Sequence, residues 1–230
     1  MTQEKWHPGS LLELSGGFWK TGTLHAAVKL DVFTVINDRR LGAGEIAEKA
    51  GSAPDATARL LDALVAMGLL FKENGYYTNT EASRGFLSKT SPGYMGYMIL
   101  HHHHLVDLWR RLDQSVRTGG PVRETDGGDE AEREAFLMGM FNMASVTAPD
   151  LVRQVDLGGR RRLLDMGGGP GTYAIHFCLK YPDLAATVFD LETTRSFAER
   201  TIERFGLSGR IGFEGGNYLD GDLPDGYDAV

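Results

Sequence analysis

The feature that most constrains the fold is a short apolar run that leads into a glycine-rich loop. Residues 163–171 read LLDMGGGPG, which predicts a buried strand followed by a sharp turn. Glycines at Gly167, Gly169 and Gly171 allow the backbone to lie against a ligand without Cβ clashes. A second apolar run ends in Asp190, and an acid after such a strand can accept both hydroxyls of a ribose. Together the two runs predict a nucleoside-binding α/β fold.

The glycine spacing separates two classes of nucleotide site. The dinucleotide pattern G-x-G-x-x-G fails, because it needs glycine at Thr172 when counted from Gly167, or at Pro170 when counted from Gly168. The loop reads D-x-G-x-G-x-G, with Asp165 inside the first turn. A carboxylate there repels a pyrophosphate and suits a ligand with sulfonium and ammonium groups. The loop resembles the first motif of S-adenosylmethionine (SAM)-dependent methyltransferases, although the loop alone is equally compatible with other Rossmann-like uses.

Composition favours small-molecule chemistry in the cytoplasm. The chain has 230 residues, 42% of them hydrophobic, which is enough for one large domain or two modest ones. The single cysteine, Cys178, cannot form an intramolecular disulfide, as expected in a reducing compartment. A net charge of -7 disfavours nucleic acid and acidic membrane surfaces. Polar residues interrupt the longest apolar stretches, so we expect no membrane span.

The N-terminal third predicts a winged helix. Residues 15–36 have a helical apolar period, and a shorter helix follows at 44–50. A turn then leads to an amphipathic helix at 55–70, with Gly68 as a stop signal. The Asn74-Gly75 pair between aromatic residues is a strong hairpin signal. Helix, turn, helix and hairpin in this order are typical of a winged helix.

A winged helix raises the alternative of a DNA-binding regulator. The helix that would enter the major groove carries Arg59 against Asp55 and Asp62. The hairpin offers Lys72 beside Glu73. This charge balance is poor for duplex DNA, so we expect no nucleic-acid partner and prefer a role in packing or in covering a pocket.

The middle of the chain predicts further helices and a three-part organisation. An apolar stripe ends at a glycine-proline stop, and Pro149 predicts the start of another helix that leads to Gly158. We therefore divide the chain into a winged-helix dimerisation-type domain at 1–90, a helical linker and acceptor-pocket region at 91–158, and a partial Rossmann-like domain at 159–230. The stripe consists of Leu105, Leu108, Trp109, Leu112 and Val116.

The order of motifs along the chain resembles the plant-type O-methyltransferase family, close to the bacterial branch that includes hydroxyneurosporene methyltransferase. The motifs are Arg117-Thr118-Gly119, Phe141-Asn142, residues 163–171, residues 188–191 (VFDL), residues 215–218 (GGNY) and residues 223–228 (LPDGYD). The resemblance implies an α+β winged-helix dimerisation domain followed by an α/β Rossmann-like methyltransferase domain. It also implies SAM as methyl donor, a small aromatic or apolar hydroxyl-bearing acceptor, and a homodimer formed through the N-terminal helices.

The resemblance also implies a set of cofactor-binding residues. Asp165 would attract the ammonium group of SAM, Asp190 would hold the ribose hydroxyls, and Leu191 would contact the adenine. Asn217 stands where the family usually has an acid, and its carbonyl can still accept a hydrogen bond from the adenine amine. The full set is Asp165, Gly167, Gly169, Gly171, Asp190, Leu191, Asn217 and Tyr218.

For the acceptor, the resemblance points to the Phe141 helix. Met140, Phe141 and Met143 would be adaptable walls for a planar or apolar substrate, with His104 as a further pocket residue. The alternative, that these are ordinary core residues, stays open. Family members often have Met where this chain has Ser145, so the acceptor is expected to differ from a simple plant phenol.

The histidine run 101–104 has three readings. On a helix, His101 and His104 share a face. Packing or solvation, a place in the acceptor pocket, and metal binding are all open, but two histidines without a nearby carboxylate or cysteine are a weak metal signal. We predict no metal site.

The last residues resemble the opening of a fourth strand. In the family the catalytic base is a histidine beyond that strand, so it would lie beyond Val230. We expect an unpaired apolar strand edge here. The expected explanation is a fragment of a chain roughly 100 residues longer, or a C-terminal segment of another polypeptide that completes the sheet. The alternative function is a noncatalytic cofactor- or ligand-binding protein, which the early stop and Asn217 motivate.

Overall fold

The computed structural model describes residues 6–122, 129–221 and 223–230. The chain forms two compact units, Met1–Val122 and Arg123–Val230. Parts of the predicted segments 1–90, 91–158 and 159–230 therefore lie outside the described residues, and the three-part division stays a prediction.

The first unit contains helices and a small sheet. The helices are α1 (Pro8–Ser15), α2 (Gly17–Lys29), α3 (Val32–Ile36), α4 (Ala43–Ala50), α5 (Pro54–Ala66), α6 (Glu81–Phe86), α7 (Gly96–Trp109) and α8 (Leu112–Thr118). The strands are β1 (Leu41–Gly42), β2 (Leu70–Glu73) and β3 (Tyr76–Asn79), in the antiparallel order β1-β3-β2.

The winged-helix order is present in the first unit. Helices α4 and α5 precede the hairpin β2–β3, whose turn residues Asn74 and Gly75 have φ values of 50° and 80°. Positive φ at both positions matches the right-handed twist of the paired strands, as the Asn-Gly signal predicts. The core of this unit includes Ile46, Leu61 and Leu64, each 0% exposed. Full burial of each such side chain contributes about 1.5–3 kcal/mol.

Two predicted helices have different bounds in the structure. The single helix predicted at 15–36 is three helices, because Gly16 caps α1 and the left-handed Asp31, with φ of 57°, interrupts the chain before α3. The helix predicted at 55–70 ends at Ala66. Gly68, with φ of 74°, reverses the chain there, and Leu70 already belongs to β2.

The second unit is built on a parallel sheet. Its helices are α9 (Glu130–Gln154), α10 (Thr172–Lys180) and α11 (Arg195–Arg204), with a 3₁₀ turn at Glu192–Thr194; its strands are β4 (Arg162–Met166), β5 (Ala185–Asp190) and β6 (Ile211–Gly215). The strand order is β4-β5-β6, and Ala229 pairs in parallel with Leu163 on the other side of β4. Strand β4 is therefore flanked by β5 on one side and, at Leu163, by Ala229 on the other. Ile175, Val188 and Ala198 lie in the core, each 0% exposed.

Helix α9 differs from expectation in two respects. It runs unbroken through Pro149, which was predicted to begin a new helix, because Ala148 and Val152 on either side are buried and hold both segments in line. By length and composition it is also the one helix among the described residues that reaches the criterion for a membrane span, which the sequence analysis did not expect. Core helices meet the same criterion, and α9 buries six of its residues in this unit. The absence of a membrane partner stays a prediction.

Candidate functional site

A cavity of about 750 Å³ lies in the second unit, between α9, the glycine loop and the carboxyl end of β5. Its volume is in the range of small-molecule sites. Since the carboxyl ends of parallel strands meet at one edge of a sheet, Asp165 and Asp190 both reach this cavity. It is lined by Arg133, Phe136, Leu137, Met140, Met143, Ala144, Thr147, Asp165, Met166, Gly167, Gly168, Gly169, Pro170, Thr172, Tyr173, Asp190, Leu191, Thr193 and Thr194.

The glycine loop takes a shape that other residues resist. Gly167, Gly169 and Gly171 have φ values of 67°, 55° and 78°, in the left-handed region. A Cβ on Gly168 would lie 2.7 Å from Cγ of Asp165. Because these positions have no side chains, a ligand in the cavity can approach the loop backbone closely. Added Cβ atoms would disturb this shape.

Asp165 is held beneath the loop. Its Oδ2 accepts a hydrogen bond from the backbone N–H of Ala174 at 3.0 Å. Burial raises the pKa of this carboxyl, and the nearby Asp190 carboxylate raises it further, while the Ala174 hydrogen bond opposes them. A bound cation would favour the charged form of Asp165, so this position suits a ligand that carries an ammonium group.

Asp190 joins the two halves of the site. Its Oδ2 accepts from the backbone N–H of Gly169 at 2.8 Å, and its Oδ1 accepts from the N–H of Leu191 at 2.7 Å. The Thr194 hydroxyl donates to the same Oδ1 at 3.2 Å. These bonds fix the carboxylate at the cavity wall, and Oδ2, which accepts one bond, retains capacity to accept from a ligand hydroxyl.

Three of the predicted cofactor residues do not line the cavity. Gly171 lies behind the loop, where an added Cβ would be 3.1 Å from Val188. Asn217 turns its Oδ1 to the backbone N–H of Leu219 at 3.1 Å. Tyr218 is half exposed and lies near the loop, since a Cβ on Gly167 would be 3.7 Å from its ring. The adenine contact expected of Asn217 stays a prediction.

The predicted acceptor residues fall into different places. Met140 and Met143 line the cavity. Phe141 does not: it is 6% exposed and contacts the ring of Phe205 at a centroid distance of 6.1 Å. Successive helix positions point about 100° apart, and Phe141, directly after Met140, is turned to the core. His104 lies on α7 in the first unit, where its Nδ1 is buried with no hydrogen-bond partner among the described residues.

Sequence reasoning missed several cavity residues. Phe136 and Thr147 share the helical face of Met140 and Met143, so the period of α9 could have found them. Met166 and Tyr173 lie beside the glycine motif, and Thr193 and Thr194 follow Asp190. The backbone of each loop, rather than a motif, brings these four to the cavity. Arg133 was also missed, because nothing in its own sequence pattern marks it.

The histidine run lies on α7 beside α2. The rings of His25 and His103 make an edge contact with a centroid distance of 5.4 Å, and Nζ of Lys29 is 3.4 Å from Nε2 of His103. Burial lowers the pKa of His25 and of His103, and neighbouring positive charge lowers both further. In the part of the chain that the structure describes, no three metal-ligating side chains come together.

The cavity residues fit SAM. The glycine loop admits a close ligand, the partly buried Asp165 suits an ammonium group, and Asp190 is placed to accept ribose hydroxyls. The carboxylates disfavour a pyrophosphate for the same electrostatic reason.

The chain matches two protein families along its length. Residues 12–89 match the O-methyltransferase dimerisation domain, and residues 102–230 match the O-methyltransferase domain. Among curated relatives, 3-hydroxy-5-methyl-1-naphthoate 3-O-methyltransferase of Streptomyces sahachiroi is 34% identical over 97% of this chain and 67% of its own length. The tetracenomycin polyketide synthesis 8-O-methyl transferase TcmO of Streptomyces glaucescens is 32% identical over 94% and 66%. The chain thus spans about two thirds of the length of these relatives.

A solved structure shows the same fold. The structure of PigF with SAH is 28% identical, with a TM-score of 0.86 over 97% of this chain and 70% of that one. These matches confirm the predicted O-methyltransferase class and its methyl donor SAM, in preference to the noncatalytic alternative. The chain belongs to the SAM-dependent O-methyltransferase family.

Proposed function

We propose that the cavity of the second unit binds SAM, and that the whole protein uses it to methylate a hydroxyl group of an aromatic acceptor. The observation that carries this proposal is the Asp190 carboxylate, hydrogen-bonded to the glycine loop through Gly169 and exposed at the cavity wall. When bound, SAM supplies a methyl group for transfer to the acceptor oxygen.

Four parts of the cavity would hold the methyl donor. Asp190 would accept the ribose hydroxyls, and Leu191, half exposed at the wall, would contact the adenine. Asp165 would balance the ammonium group. The backbone of Gly167 and Gly169 would lie against the methionine part. Tyr218 and Asn217 would complete the adenine end, with Gly171 supporting the loop from behind.

The acceptor side of the proposal rests on apolar, adaptable side chains. Met140, Met143 and Met166 line one cavity together with the rings of Phe136 and Tyr173. Thioethers and aromatic rings suit planar apolar molecules. Two relatives are named for a naphthoate and for a tetracenomycin polyketide, which supports an aromatic acceptor for this chain as well. Phe141 and His104 remain proposed acceptor residues only through the family resemblance.

The wider organisation is part of the same proposal. A homodimer through the N-terminal helices is supported by the dimerisation-domain match and by exposed Leu12, Phe18 and Trp19. The bacterial hydroxyneurosporene-type branch and a cytoplasmic location also stay proposals.

Calorimetric titration with S-adenosylhomocysteine (SAH), followed by a methyl-transfer assay on the complete gene product, tests the function. We expect saturable one-to-one binding and methyl transfer to polycyclic aromatic hydroxyls. No SAH binding would contradict the site. Binding without turnover on any aromatic hydroxyl would favour the noncatalytic alternative.

A further inference from the structure

Thr194 is a cavity residue whose side chain is almost fully buried. It lines the cavity beside Asp190, and only 4% of it is exposed. It ends the 3₁₀ turn Glu192–Thr194 and directly precedes α11. A buried hydroxyl needs a hydrogen-bond partner, and this one donates to Oδ1 of Asp190 at 3.2 Å. Thr194 therefore belongs to the wall that holds Asp190.

The Thr194 hydroxyl is the one side-chain donor that the described part of the chain offers to Asp190. The other two donors are backbone N–H groups, that of Leu191 on Oδ1 at 2.7 Å and that of Gly169 on Oδ2 at 2.8 Å. Because Oδ1 accepts two bonds, Oδ2 is the oxygen that keeps capacity for a ligand. Backbone N–H groups do not depend on the side chains at their positions, so Thr194 supplies the restraint that one side chain controls.

The turn that carries Thr194 is held on its outer side. Nη2 of Arg195 donates to Oε2 of Glu192 at 2.9 Å, and Nη1 donates to the carbonyl of Phe213 on β6 at 3.2 Å. The guanidinium also lies 4.7 Å from the ring centroid of Phe213. These contacts fix the backbone of the turn, and the β-branched side chain of Thr194 is stiff about its first torsion. Its hydroxyl therefore has a fixed direction toward Asp190.

A carboxylate that is already fixed binds a ligand hydroxyl more tightly than a mobile one. Ligand binding has to immobilise any side chain that is still free to rotate, which costs conformational entropy. The bond from Thr194 restricts Asp190 before a ligand arrives. Loss of this bond should therefore weaken a ligand that depends on the Asp190 carboxylate.

We propose that Thr194 is a positioning residue, which orients the Asp190 carboxylate for the ribose hydroxyls of the methyl donor and acts on ligand affinity through that carboxylate. The inference rests on the proposed function. It goes beyond that function by assigning a residue that lies outside both the glycine motif and the VFDL motif.

The test compares the SAH affinity of wild type, of Thr194→Val, which removes the hydroxyl and keeps the shape, and of Thr194→Ser, which keeps the hydroxyl. The matched control is Thr201→Val on α11, since Thr201 is buried, donates to the carbonyl of Phe197 at 2.8 Å and does not line the cavity. Asp190→Ala and the double variant with Thr194→Val complete a double-mutant cycle. Calorimetric titration gives each affinity, and thermal unfolding checks that each variant is folded.

We expect Thr194→Val to weaken SAH binding by about 3- to 10-fold, the scale set by immobilising one side chain. Thr194→Ser and Thr201→Val should each stay within about twofold of wild type. In the Asp190→Ala background, Thr194→Val should change the affinity by less than about twofold, because the carboxylate through which it acts is gone. A merely structural role would weaken binding by the same factor in both backgrounds.

An unchanged or tighter SAH affinity in Thr194→Val overturns the inference. Equal losses in both backgrounds, or a loss of the same size in Thr201→Val, also overturn it. If Asp190→Ala binds no SAH at all, the serine variant decides, and a Thr194→Ser protein as weak as Thr194→Val then overturns the inference. A wild type that binds no SAH makes the proposed function fail as well, whereas wild-type binding with an unaffected Thr194→Val protein makes only the inference fail.

Discussion

The backbone N–H of Gly169 donates a hydrogen bond of 2.8 Å to Oδ2 of Asp190. This bond joins the glycine loop after β4 to the carboxyl end of β5, so the two sequence motifs become one wall of the cavity. The left-handed φ of 55° at Gly169 accompanies this contact. A residue with a side chain would resist that conformation. The position of the N–H group that binds Asp190 therefore depends on glycine at this position.

Replacing Asp190 should therefore weaken cofactor binding. We expect Asp190→Ala to lower SAH affinity by at least about tenfold, because hydrogen bonds to a charged acceptor are lost. Calorimetric titration measures the change. The control is Asp183→Ala, since Asp183 is exposed and pairs with Arg161 outside the cavity. Equal affinities of Asp190→Ala and wild type would contradict the assigned role.

Gly171 should be needed for folding rather than for direct ligand contact. Gly171→Ala places a Cβ 3.1 Å from Val188 at a φ of 78°. The left-handed conformation alone costs about 1–2 kcal/mol for a residue with a Cβ. Urea unfolding should show a loss of at least this size. Gly212→Ala is the matched control, because no atom lies within 4 Å of its added Cβ and its φ is not left-handed. A Gly171→Ala protein as stable as the Gly212→Ala protein would refute this prediction.

The buried hydroxyl of Ser145 is expected to lower the stability of the protein. Its Oγ is buried with no hydrogen-bond partner among the described residues. Ser145→Ala removes an unsatisfied polar group, so we expect unchanged or increased stability, by up to about 1 kcal/mol. Thr201→Val is the comparison, since the buried Thr201 hydroxyl donates to Phe197 at 2.8 Å, and its removal should destabilise by about 1 kcal/mol. Destabilisation of similar size by both substitutions would show that Ser145 has a partner after all.

The first unit should lose stability in acid. The pKa of His25 lies below its ordinary value of 6.5 because of burial and of nearby His103 and His102. Protons therefore bind the unfolded state more tightly than the folded state. The contribution of neutral His25 to the free energy of unfolding is complete above the pKa of the unfolded state, and it is lost as the pH falls from there through the lower pKa of the folded state. His25 on α2 faces His102 and His103 on α7. His103 in turn lies near Lys29, which lowers its pKa, and near Asp107, which raises it.

Thermal unfolding of the first unit at about pH 7.5 and about pH 5.5 measures this effect, and we expect a midpoint lower by a few degrees at the acidic pH. His25→Gln should reduce the difference between the two midpoints. An unchanged difference in that variant would show that other groups cause the acid sensitivity.

The sequence predicted correctly those elements in which a local backbone conformation requires a particular residue type. The Asn74-Gly75 pair predicted the hairpin, and the three alternating glycines predicted the sharp turn of the loop, which the structure forms with left-handed φ values. Asp190 was placed correctly at the end of a buried strand. In each case the residue type is required by the backbone itself, so a single sequence is enough.

The rest depends on long-range packing. The break at Asp31 requires a left-handed residue that no glycine announces. Phe141 has the composition of a pocket residue, but the rotation of α9 turns it to Phe205 and gives the cavity to Met140 and Met143. The same rotation of α9 places Arg133 on the cavity wall. Rotation of a helix about its axis and the pairing of charges are set by tertiary contacts that a motif does not contain.

The most direct test of the central claim is an experimental structure of this protein with SAH. We expect the ribose hydroxyls within hydrogen-bond distance of the Asp190 carboxylate and the methionine part along the backbone of Gly167 and Gly169. Density for SAH elsewhere on the protein, or with its ribose away from Asp190, would contradict the account.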